Sequence, residues 1–242
     1  MKISILTLFP EMYEGFLNTS IIKKARLKEL VDFEIVDIRA FTLDKHKRVD
    51  DAPFGGGQGM VMFPQPIVDA LRSVRSSESH VILMTPAATT FDQVKARELV
   101  DYQHLILICA HYEGYDERIL NYVDEVLSIG DYVLTGGELA SMVISDAVTR
   151  LVKGVITEDS NRYESFENGL LEYPQYTRPV EYDGQIVPEV LLSGHHENIR
   201  KYRLKESLRK TLRYRNDLLA KLEANKEIQE ILNELINESA DK

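Results

Sequence analysis

The chain has 242 residues, 44% of them hydrophobic, so it can bury one large core, or one core and a smaller appended domain. No apolar run approaches the ~18 residues of a membrane span, and the start MKISILTLFPEM is apolar over a strand's length rather than a signal peptide's, so a cytoplasmic protein without membrane contact is expected. The single cysteine, Cys109, sits in the apolar run LILICA, which excludes an internal disulfide and fits a small buried core residue. A formal net charge of -10 argues against a nucleic-acid partner until its distribution is considered.

Over the first 150 or so residues short apolar runs alternate with helix-period segments, the pattern of a parallel sheet covered by helices, and an α/β domain is predicted over 1–152. Strands are expected at 2–8, 33–38, 80–84, 104–110 and 125–129, because continuous apolar runs suit strands buried on both faces. Ser20 is placed as the cap of a helix over 20–30, and Pro64 in the first turn of a helix over 64–74. A third helix is expected over 137–151, with Ala140, Val143, Ile144, Ala147, Val148 and Leu151 forming one apolar stripe.

Three segments have the residues for chemistry. In DKHKRVDDAPFGGGQGM, titratable groups including His46 and Asp50 run into glycines including Gly55 and Gly56. Glycine lets a backbone approach a ligand closely, so this loop could clamp a nucleotide, and a flexible hairpin is the competing reading. It lacks GxxxxGK[ST], and the chain lacks GxGxxG, which argues against a Walker loop and a standard dinucleotide fold. HYEGYDER, containing His111 and Glu113, follows a predicted strand, where α/β folds bind ligands. SIGDYVLTGGE also follows a strand and enters a helix, and free backbone N–H groups at Gly136 and Gly137 would suit adenine or carboxylate recognition.

From 153 to 183 the periodicity disappears, in a stretch far longer than the usual connection of ~4–6 residues, and an interdomain active-site loop is predicted. A helical domain is expected over 184–242. Its 200–215 segment carries Arg200, Lys201, Arg203, Lys205, Arg209, Lys210, Arg213 and Arg215 against Glu206 alone, whereas the acids dominate from Glu223 onward. Such a local basic face can bind RNA on an acidic protein.

Taken in order, LTLFPEM, DKHKRVDD with PFGGGQGMVM, HYEGYDER, SIGDYVLTGGEL, GLLEYPQYTRP and VPEVLLSGHHENIRKYR resemble the motifs of the bacterial tRNA (guanine-N1-)methyltransferases, the TrmD family of the SPOUT class. The resemblance implies a deep trefoil knot in the α/β domain and a homodimer with its active site between subunits. It implies methyl transfer from S-adenosylmethionine to N1 of guanosine 37 of tRNA, with magnesium as a possible ion and no protein metal cage. It places the cofactor against Pro86, Ala110, Glu113, Ser128, Ile129, Gly130, Tyr132, Leu134, Gly136 and Gly137. It places tRNA against His46, Asp50, Gly55, Gly56, His111, Arg200, Arg203 and Arg209. Arg150 matches the family's catalytic arginine, and Glu164 stands where the general base is usually aspartate, with Asp159 as the reserve candidate. His111, Ala110 and Ala140 also depart from the common arginine, glycine and proline. Other RNA methyltransferases of this class, a catalytically impaired RNA-binding module and a nucleotide-binding regulator are the competing readings.

Overall fold

A computed structural model describes residues 1–157 and 164–240, so Asp159 lies outside the described residues. The chain divides into two compact units, Met1–Thr157 and Glu158–Lys242. The first is built on five parallel strands, β1 (Lys2–Thr7), β2 (Asp32–Asp37), β5 (Ser79–Thr90), β6 (His104–Cys109) and β7 (Glu125–Ser128), in the order β2-β1-β6-β5-β7. A short antiparallel pair, β3 (Asp50–Asp51) and β4 (Val61–Met62), brackets the glycine-rich loop.

Side chains alternate across a strand, so a strand buried on both faces feeds two cores. In β6, Leu105, Leu107 and Cys109 join Ile3, Ile5, Ile82 and Met84 on one face, while Ile106 and Ile108 join Leu6, Val81 and Leu83 on the other. The first core is covered by α1 (Tyr13–Leu17), α2 (Ser20–Leu27), α4 (Gln93–Leu99) and α5 (Glu138–Thr149). The second is covered by α3 (Pro64–Val74), which buries Ile67, Ala70 and Leu71 at helical spacing. Each fully buried Ile or Leu contributes about 1.5–3 kcal/mol of transfer free energy.

Three local expectations need correction. Ser20 does not cap α2: it is the first helical residue, Thr19 precedes it in extended backbone, and neither side chain makes a capping bond. Val143 leaves the predicted stripe and is 48% exposed, while Ala140, Ile144 and Val148 face the core. The strand predicted to end at Met84 continues to Thr90, with a register shift between Met84 and Thr89 that carries its second half along β7.

In the second unit a hairpin of β8 (Glu181–Tyr182) and β9 (Gln185–Ile186) leads to α6 (Glu189–Leu192), α7 (His196–Tyr214), α8 (Asn216–Leu219) and α9 (Lys226–Ala240). No glycine or proline interrupts α7, and Glu197 in its first turn and Arg213 in its last complement the helix dipole. Leu170, Leu208 and Leu235 form the centre of this unit's core. The Leu171 N–H donates to Thr211 Oγ1 at 2.9 Å, so part of the predicted 153–183 loop packs on α7 rather than standing free as a linker.

Candidate active site

The carboxyl ends of β5, β6 and β7 deliver three loops to one place. Together they line a cleft of about 440 Å³, within the usual range for small-molecule sites. Pro86 comes from the second half of β5, and Ala110, His111 and Glu113 follow β6. Ser128 ends β7, and Ile129, Gly130, Tyr132, Leu134, Gly136 and Gly137 follow it and lead into α5. All ten residues expected to face the cofactor, and His111 with them, therefore meet in one cleft.

The glycines there answer to proximity more than to backbone freedom. Gly137 has ordinary right-handed backbone, with φ -81 and ψ -5, yet a Cβ on it would lie 2.8 Å from the Cys109 Cα. Its N–H donates to the Ala110 carbonyl at 2.8 Å, so this group is not free for a ligand as the sequence suggested. A Cβ on Gly136 would collide with the His111 ring and the Glu138 carboxylate. Opposite them the turn is closed by Ser128, whose Oγ accepts from the Gly130 N–H at 3.2 Å, and by Tyr132, whose hydroxyl donates to the Ile129 carbonyl at 3.3 Å.

Beneath the cleft lies a polar network that the sequence analysis missed. The Thr7 hydroxyl donates to Glu138 Oε1 at 2.9 Å, and Glu138 is almost fully buried. The Tyr13 hydroxyl shares hydrogen bonds with Ser141 Oγ at 2.7 Å and Cys109 Sγ at 3.4 Å. Burial raises the Tyr13 phenol, and burial with the nearby Glu138 pushes the Cys109 thiol up to about 12. The Tyr13 phenol and the Cys109 thiol are neutral structural partners rather than reagents. The available signals were Thr7, polar at the end of an apolar strand, and Glu138, charged at the mouth of an apolar helix.

The glycine-rich loop reaches the cleft through its far end. The Glu113 N–H donates to the Met60 carbonyl at 3.0 Å, and a Cβ on Gly59 would overlap the Glu113 side chain. His46 and Asp50 lie on the near side, with Asp44 accepting from the His46 N–H at 2.7 Å. The Arg48 guanidinium holds the Asp44 carboxyl down to about 2. Gly55 and Gly56 both have φ above +80 and are exposed beside Phe54, which is fully exposed.

Arg150 caps the carboxyl end of α5 in the first unit, its N–H donating to the Asp146 carbonyl at 3.1 Å. Glu164 belongs to the second unit, where its carbonyl accepts from the Glu167 N–H at 3.3 Å. The predicted RNA residues of α7 differ in their surroundings: Arg200 is paired with Glu197 and Glu227, and Arg209 with Glu206 and Glu238, while Arg203 lies over the Tyr173 ring at 4.7 Å. Among the described residues no three metal-ligating side chains are grouped to hold an ion, and no helix is long and apolar enough to cross a membrane.

A family model described as tRNA (Guanine-1)-methyltransferase TrmD matches residues 1–221. The chain belongs to that methyltransferase family. It is 54% identical over 240 residues to a curated tRNA (guanine-N(1)-)-methyltransferase of Halalkalibacterium halodurans, covering 97% of this chain and 98% of that one. Similar relatives of the same name come from Dictyoglomus turgidum, 52% identical with 98% of both chains covered, and Clostridium acetobutylicum, 52% identical with 97% of both covered. The family model extends over the first unit and into the second and ends before α9, whereas the relatives' alignments cover 97–98% of the chain.

Proposed function

We propose that the protein methylates N1 of guanosine 37 in tRNA, using S-adenosylmethionine held in the cleft between the β5, β6 and β7 loops. The observation that carries this reading is the convergence of all ten expected cofactor residues on that one cleft, in a chain of this family. Its glycines leave space that a Cβ would fill, which suits a flat purine and a ribose pressed against backbone. When bound, S-adenosylmethionine supplies an activated methyl on a sulfonium.

What the chain itself must supply is proton removal and charge stabilisation. Guanine N1 carries a proton at neutral pH, and its lone pair becomes an effective nucleophile only as a base takes that proton. We assign this to the Glu164 carboxylate, whose reference acidity resembles that of aspartate. Charge then builds toward O6, where the Arg150 guanidinium is assigned to stabilise it. Holding the two reactants in line supplies much of the remainder.

The loops that line the cleft form the trefoil knot in this reading, and the active unit is a homodimer in the cytoplasm, where its tRNA resides. Support for a dimer comes from apolar side chains left outside both cores of the first unit: Leu139 and Val143 on α5 and Val133 before it are 50%, 48% and 83% exposed. Modification beside the anticodon supports maintenance of the reading frame.

The test is transfer of labelled methyl from S-adenosylmethionine to an unmodified transcript with guanine at position 37 and to its adenine counterpart. Label on the first alone is expected, and its loss in Glu164→Gln assigns the base. Label on both, or on neither with a folded protein, overturns the proposal.

A further inference from the structure

The cations of α7 are of two kinds, and α9 separates them. Arg200 pairs with Glu227, Lys205 with Glu234 and Glu238, and Arg209 with Glu238. These pairs advance together along both helices, so α9 runs beside α7 in the same direction and sets a row of carboxylates against three of the α7 cations. Leu208 and Leu235 lie buried between them. The carboxylates are matched to these cations: Arg200 holds Glu227 low, and Lys205 with Arg209 hold Glu238 low.

Three other cations of α7 stand outside these pairs. Arg203, Lys210 and Arg213 follow one another at seven- and three-residue steps, which places them on one stripe of the helix. None of the three has a carboxylate partner among the described residues. Arg203 stacks over Tyr173 at 4.7 Å and Arg213 over Tyr214 at 5.1 Å. Glu206, the one acid on the same stripe, is bonded to Arg209. Cations beside aromatic rings suit ribose-phosphate and unstacked bases together, whereas a cation already neutralised by a carboxylate adds little net charge with which to displace the counterions condensed on RNA.

We propose that α9 closes Arg200, Lys205 and Arg209 to RNA and leaves Arg203, Lys210 and Arg213 as the stripe on which the tRNA backbone rests. This rests on the proposed tRNA reading and narrows it, because Arg203 stays in the interface while Arg200 and Arg209 leave it. It also assigns a task to a helix beyond the residues that the family model matches: keeping RNA from spreading over the whole basic face.

The experiment measures tRNA affinity of the full chain against salt for single glutamine variants. Arg203→Gln, Lys210→Gln and Arg213→Gln are each expected to weaken binding several-fold and to reduce the slope of log affinity on log salt by about one. Lys205→Gln is expected to leave the slope unchanged, and Glu234→Gln combined with Glu238→Gln, which frees cations without altering apolar packing, is expected to steepen it. Circular dichroism confirms that each variant keeps its helices. A Lys205→Gln slope as reduced as that of Arg203→Gln, or an unchanged slope in the double glutamate variant, overturns the inference. Failure of the unaltered protein to bind tRNA at all would instead remove the functional reading beneath it.

Discussion

His111 Nδ1 and Glu138 Oε2 face each other across 3.8 Å, and the ring nitrogen is buried without a hydrogen-bond partner among the described residues. Glu138 also receives the Thr7 hydroxyl, so one carboxylate serves the floor of the cleft on two sides. A glutamine there can still accept from Thr7 and can donate to the ring. Glu138→Gln is therefore expected to keep stability within about 1 kcal/mol, whereas Glu138→Ala, which strands a buried hydroxyl, is expected to lose about 1–3 kcal/mol. Denaturant unfolding decides this, and equal losses in the two variants would refute the role given to Glu138.

Gly137 is a packing glycine. Because its added Cβ meets the backbone of Cys109 rather than a movable side chain, Gly137→Ala is expected to cost about 1–3 kcal/mol and to weaken S-adenosylmethionine at least tenfold. Gly184→Ala is the contrast. Gly184 has φ +73 with open space around it, so the strain is about 1 kcal/mol and cofactor affinity is untouched. Calorimetric titration of both variants provides the check, and wild-type affinity in Gly137→Ala would defeat the argument.

Acid should weaken the fold through His104. Ser4 Oγ donates to Glu34, so it accepts from His104 Nε2, and Nδ1 is left to accept from Ser79 Oγ. Burial, aided by Lys2, lowers the folded pKa of this ring. The unfolded chain takes up a proton near pH ~6.5 that the folded chain resists. Unfolding free energy is thus expected to fall as pH drops below that value and to level off once the folded ring also protonates. His104→Asn should flatten this part of the profile, and the same slope with and without the ring would contradict the assignment.

Cys109 should resist alkylation. Its thiol is fully buried and pushed up to about 12, so thiolate is scarce at neutral pH. Labelling with iodoacetamide is expected to track global unfolding across a denaturant series. Rapid modification of the native protein would show that the core around Tyr13 and Ser141 opens on its own.

The sequence disclosed what depends on short-range pattern. Strands buried on both faces announce themselves as continuous apolar runs, and Pro64 starts α3 where its missing N–H is harmless. Strand order was not legible, because β1 and β6 are neighbours despite about a hundred intervening residues and nothing local records that pairing. The tail of β5 was missed because the apolar run stops at Met84, and Pro86 with the small Ala and Thr side chains after it gives no strand signal until β7 lends them a partner. Of the cleft residues, His111, Glu113, Gly136 and Gly137 stood out by following apolar strands, and the others were legible only through family motifs. The charge asymmetry of 200–238 was visible as composition, but the division of its cations into paired and unpaired was not, since that depends on how α9 lies on α7.

The cleft has no wall of its own. Each side is the overhang of a different strand, joined to the others only through distant stretches of chain, so a partly folded molecule has fragments of the site but no pocket. A ligand that fits it recognises the finished sheet alone, and its binding draws the population away from incomplete folds. Thermal protection by S-adenosylmethionine would then report assembly of the whole first unit, making the methyl donor an assembly gauge as well as a reagent.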